Sequence, residues 1–139
     1  MSRIIYSGKL EYSDASMANV VDVDPSKWDP EVLKADILTA VDFWHQRCPW
    51  CLRLNPIIDE LSEEYKDKIK FVRLNVMSSP ENRQLAIRNG VMGTPTIVFY
   101  YEGRPVFTTV GLMTKDRLKE TLENLLGTYR ECLKQSTEL

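Results

Sequence analysis

Val41-Asp42-Phe43-Trp44-His45-Gln46-Arg47-Cys48-Pro49-Trp50-Cys51 is the stretch on which the reading of this chain turns. Its first residues close an apolar run from Ile37 to Trp44 that only Thr39 and Asp42 interrupt. The run is too short for a long helix and too uniformly apolar for a half-solvated strand, which predicts a strand covered on both faces in a mostly parallel sheet. Beyond Cys51 the pattern changes. Leu54, Ile57, Ile58, Leu61 and Tyr65 fall at helical spacing, with Arg53, Asp59, Glu60, Glu63 and Glu64 between them, so one stripe faces a core and the rest faces water. Pro56 removes a backbone donor inside that helix, and a kink is expected there. The two cysteines thus sit where a central strand gives way to a long helix.

Upstream, Val20-Val21-Asp22-Val23 predicts a short strand, and Asp29-Pro30-Glu31 predicts a brief helix with an N-cap, proline at its first position and an acidic first turn. Downstream, Ile69 to Val76 predicts a strand, Ser79-Pro80-Glu81 a second proline-started helix, and Asn89-Gly90 its end. Thr96 to Tyr101 and Pro105 to Val110, joined by Glu102-Gly103-Arg104, predict an antiparallel hairpin. Thr114 then caps a last helix with Leu118, Leu122, Leu125 and Leu126 on one face. This order predicts an α/β fold, a central mixed sheet with helices on both faces. Residues 1–19 read as an N-terminal extension with room for one short strand, 20–127 as the domain, and 128–139 as a helical tail. In that tail Tyr129, Cys132 and Leu133 continue the leucine spacing, so Cys132 reads as a small core residue, with a regulatory thiol as the alternative.

The 139 residues are 43% hydrophobic and 27% charged, with a formal charge of -2, which fits one globular domain. Such a charge offers no field to recruit nucleic acid or an anionic membrane. No apolar run approaches the roughly 20 residues that span a bilayer, and Met1 to Val20 is too polar for a signal-peptide core. The cytoplasm is therefore the expected location. Three cysteines are too few for a secreted disulfide scaffold, and in a reducing compartment a C-x-x-C pair points to redox or metal chemistry.

Cys48 is expected at the start of the long helix, where unpaired N–H groups and the helix dipole favour an anion, here a thiolate. The thiolate is the nucleophile of disulfide exchange, and Arg47 is a neighbouring cation that would favour it. Two intervening residues let the second thiol close on a mixed disulfide made by the first. C-x-x-C is also half of a zinc site, and His45 is a possible third ligand. Against zinc, His45 is the sole histidine and Cys132 is distant in sequence, so no metal is expected. A haem attachment would need histidine where Leu52 stands. Asp42 is either a carboxyl buried among apolar groups, with its pKa raised and able to carry a proton near neutral pH, or a strand-end residue facing water. Trp44 reads as packing material. Trp50, between the cysteines, reads as a candidate exposed contact for partners or a guard of the dithiol.

With Gly93-Thr94-Pro95-Thr96 about forty residues after the dithiol and Gly111 after the last strand, the chain resembles thioredoxin from about Val20 to Gly127. The resemblance implies the thioredoxin fold and a buried aspartate at Asp42. It also implies an attacking thiol at Cys48, a resolving thiol at Cys51 and a cis peptide before Pro95. In that family the Thr94-Pro95 loop would hold a disulfide-containing protein substrate by strand-like hydrogen bonds, and Trp50 is a further candidate for substrate contact. The departures cluster at the dithiol: Arg47 stands where thioredoxins have tryptophan, Pro49-Trp50 replaces Gly-Pro, and Leu52 replaces lysine. Cys-Pro-aromatic-Cys is itself similar to glutaredoxin. Arg73 occupies a strand position where thioredoxins carry lysine, either near Asp42 or as an ordinary surface cation.

The expected activity is reduction of protein disulfides through Cys48 and Cys51. No dinucleotide or flavin fingerprint is present, so no cofactor is expected and a separate reductase must supply electrons. A monomer is expected. The rivals are a glutathione-coupled reductase and a thioredoxin-fold binding protein without catalysis.

Overall fold

The structure, a computed structural model, describes residues 18–138, with side chains through Tyr129. The strand allowed for within residues 1–17 and the side chain of Cys132 lie outside the described residues. Strand β1 (Val20–Asp22) is followed by helix α1 (Pro25–Trp28), β2 (Leu38–Trp44), α2 (Pro49–Glu64), β3 (Ile69–Asn75) and α3 (Pro80–Arg88). Then come β4 (Thr96–Tyr101), β5 (Arg104–Val110) and α4 (Lys115–Glu138). The five strands form one mixed sheet in the order β1-β3-β2-β4-β5. β3 lies parallel to both β1 and β2, and β4 lies antiparallel to both β2 and β5.

Side chains alternate across a strand, and this divides β2 between two cores. Leu38 and Ala40 pack with Ile69, Phe71, Ile97 and Phe99 beneath α2 and α4, which contribute Leu54, Ile58, Leu61, Leu118 and Leu122. Val41 and Phe43 pack on the opposite face with Val72, Leu74, Val98 and Tyr100, against Trp28, Leu85 and Ala86 of α1 and α3. Central strand β2 is covered on both faces, in keeping with its mostly apolar composition. Among the described residues no helix is long and apolar enough to cross a membrane.

Two local expectations need correction. The first helix starts at Asp24-Pro25 rather than Asp29-Pro30: Asp24 accepts hydrogen bonds from the N–H groups of Ser26 (2.9 Å) and Lys27 (3.2 Å). Both Asp-Pro pairs carry the same start signal, so the second falls inside a helix already begun. Pro30 has no N–H and crowds the preceding turn. Residues Asp29–Leu33 widen into a π-helical turn, in which the Lys34 N–H donates to the Asp29 carbonyl at 2.9 Å. The hairpin, in turn, is tighter than expected. Arg104 belongs to β5, and the turn residues Glu102 and Gly103 both have positive φ (53° and 80°), as a two-residue type I′ connection requires. A Cβ at Gly103 would also come within 3.1 Å of the Leu33 carbonyl oxygen.

Candidate active site

Chain direction brings the site to one end of the sheet. β2 ends at Trp44, and four residues later Cys48 is the N-cap of α2, with Pro49 at the first helical position. His45 shapes the intervening loop: its carbonyl accepts the Cys48 N–H (3.3 Å) and its Nδ1 accepts the Arg47 N–H (3.1 Å). Cys48 and Cys51 are joined as a disulfide, with Cα atoms 5.2 Å apart. The Cys51 N–H donates to Cys48 Sγ at 3.1 Å, so an N–H left unpaired by the start of the helix is spent on this sulfur. Cys51 is fully buried, whereas Cys48 keeps 6% of its surface exposed. Of the two residues only Cys48 keeps any exposed surface.

Asp42 takes the buried one of its two possible placements, with 2% of its surface exposed. It shares the β2 face of Leu38 and Ala40, beneath α2. Arg73 stands beside it on β3 in parallel register, and its Nε lies 3.5 Å from Asp42 Oδ2. Neither Asp42 oxygen has a hydrogen-bond partner among the described residues. Burial strips the carboxylate of water and pushes its pKa from 3.8 up to about 6, opposed in part by the Arg73 charge. The group can therefore gain and lose a proton near neutral pH.

The third part of the site arrives from the other half of the chain. The Thr94–Pro95 peptide is cis, and Thr96, the first residue of β4, pairs with Phe43 near the end of β2. This register places the Gly93-Thr94-Pro95 loop at the same sheet end as the dithiol. His45, Gly93 and Thr94 line one cavity of about 410 Å³, together with Arg83, Ile87 and Met92. Two hydrogen bonds fix the loop: the Thr96 hydroxyl donates to the Gly93 carbonyl (2.6 Å), and the Gly111 N–H donates to the Pro95 carbonyl (2.8 Å). Trp50 is 53% exposed, with the Arg53 guanidinium 5.4 Å from its ring centre. Neither Thr96 nor Arg53 was singled out from sequence. The i, i+3 spacing of Trp50 and Arg53 was the available signal for their contact.

The thioredoxin family model matches residues 19–124. The chain belongs to the thioredoxin family. It is 36% identical over 110 residues to "Thioredoxin 1" of Nostoc sp., a match covering 79% of this chain and 100% of that protein. It is 35% identical over 107 residues to "Thioredoxin" of Rickettsia bellii, covering 77% and 96% respectively. "Thioredoxin M4, chloroplastic" of Arabidopsis thaliana is 28% identical over 129 residues, covering 90% of this chain and 65% of that protein. This member of the family is a thiol-disulfide oxidoreductase that reduces protein disulfides. It carries its cysteine pair in the Cys48-Pro49-Trp50-Cys51 form, with Arg73 beside Asp42.

Proposed function

We propose that Cys48 attacks, Cys51 resolves and Asp42 takes the proton from Cys51. The observation that carries this reading is the unequal exposure of the two cysteines, with the Cys51 N–H aimed at Cys48 Sγ. In the reduced protein the Cys48 thiolate attacks one sulfur of a substrate disulfide, and the other substrate sulfur leaves as a thiolate. Cys51 then gives its proton to the Asp42 carboxylate and attacks Cys48 Sγ. The second substrate thiolate is released, and the Cys48-Cys51 disulfide remains. Two electrons have passed to the substrate. Trp50 and the Thr94-Pro95 loop hold the substrate chain on either side of Cys48, Thr94 through its backbone groups.

A separate reductase returns the electrons, and the protein works as a monomer in the cytoplasm, where the ambient potential favours substrate reduction. The test is dithiothreitol-driven reduction of a disulfide-bonded protein at pH 7. Wild type is expected to accelerate it and Cys48→Ser to abolish the acceleration. Equal rates in the two proteins would overturn the assignment. Recycling by NADPH with a thioredoxin reductase is expected, and recycling by glutathione alone would favour the glutaredoxin-like reading.

A further inference from the structure

Arg73 is held between two carboxylates, and the second has no part in the reading above. On one side its Nε lies 3.5 Å from Asp42 Oδ2. On the other side an Nη of the same guanidinium donates to Asp59 Oδ1 at 3.0 Å and approaches the Asn55 carbonyl at 3.4 Å. Among the described residues the Arg73 Nε–H makes no hydrogen bond. The best bond of the guanidinium therefore goes to α2, and Asp42 feels its charge without receiving a proton from it. This division matters because arginine does not deprotonate. A lysine could shed its proton in the apolar interior; an arginine released onto Asp42 would make a charge-assisted pair that holds the carboxylate ionised.

We infer that Asp59 is a positioning residue for the Asp42 proton step: by anchoring Arg73 from α2, it withholds the guanidinium and leaves the Asp42 carboxyl free to take up and return a proton. The inference rests on the reading of Asp42 as proton carrier. Few groups face that carboxyl. β3 supplies Arg73, opposite it in register, and β4 supplies the uncharged Ile97. α2 supplies the charge of Asp59. The two influences of Asp59 have the same sign: its own negative charge disfavours ionisation of Asp42, and its hold on Arg73 weakens the pair that would favour it.

The experiment follows the Asp42 carboxyl by ¹³C NMR against pH in the oxidised protein, with Asp42→Asn identifying the signal. Asp59→Asn keeps the shape of a partly exposed side chain, and Asp59→Glu restores the charge. Asp42 is expected to titrate near pH 6 in the wild type, about one pH unit or more lower in Asp59→Asn, and close to the wild-type value in Asp59→Glu. The acidic limb of the pH-rate profile for disulfide reduction should move by the same amount. An Asp42 titration that is unchanged in Asp59→Asn overturns the inference. A titration that moves while the acidic limb stays in place supports the hold of Asp59 on Asp42 and overturns the proton-carrier role of Asp42 itself.

Discussion

The Cys51 N–H reaches Cys48 Sγ at 3.1 Å, so the backbone of one cysteine supports the sulfur of the other, the one proposed to attack. The first turn of α2 gives Cys48 both a hydrogen bond and the positive end of a dipole, with Arg47 next to it in sequence.

In the reduced protein Cys48 should therefore ionise below the usual cysteine value of about 8.5, and buried Cys51 well above Cys48. Iodoacetamide alkylation rates measured against pH, with each cysteine replaced in turn by serine, resolve the two. A Cys48 titration at or above about 8.5 would show that the helix terminus does not stabilise the thiolate.

Asp42 ties the site to stability. Its folded pKa of about 6 lies above the 3.8 of an unperturbed aspartate, so between those values the native state binds more protons than the unfolded chain. The stabilisation from protonated Asp42 is fully present below about pH 3.8 and is lost as pH rises through about 6. At pH 7 Asp42→Asn should stabilise the protein by roughly 1–3 kcal/mol in urea unfolding, with the gain shrinking on acidification. The same variant should lengthen the lifetime of the mixed disulfide, by about tenfold or more. A loss of stability at pH 7 would mean that the Arg73 pairing outweighs burial.

Much of this was legible because the signals are local. The 37–44 run fits a doubly covered strand, which the structure forms, and Ser79-Pro80 states a helix start that the structure uses, with the Ser79 hydroxyl accepting the Asn82 N–H. Local signals fail where two compete: Asp24-Pro25 and Asp29-Pro30 are equivalent as sequence, and only the packing of Trp28 against Phe43 and Tyr100 shows which begins the helix. They also fail across elements. Asp59 looks like any other charge on the wet side of α2, and its bond to Arg73 depends on how the helix lies over β3. Asp42 had two equal readings until parallel pairing put Arg73 beside it.

Trp28 should prove a stability hot spot. Its ring lies 5.5 Å from Tyr100 and 6.2 Å from Phe43 and is almost wholly enclosed. Trp28→Ala should cost about 3–5 kcal/mol in denaturant unfolding. A loss below about 1 kcal/mol would mean that the junction after α1 collapses to fill the space.

Trp50 should behave in the opposite way, since half of its surface meets water. Trp50→Ala should change stability by no more than about 0.5 kcal/mol, yet lower kcat/KM for a protein disulfide several-fold through KM. Turnover of a small aromatic disulfide should be unaffected. Equal losses on both substrates would place its effect on the dithiol rather than on docking.

The most direct test of the division of labour between the two sulfurs is covalent capture of a disulfide-bonded protein by each single-cysteine variant, followed by non-reducing electrophoresis and peptide mapping. Cys51→Ser is predicted to accumulate a mixed disulfide through Cys48 that dithiothreitol releases, and Cys48→Ser to accumulate none through Cys51. Capture through Cys51 at equal yield would contradict the assignment of Cys48 as the attacking thiol.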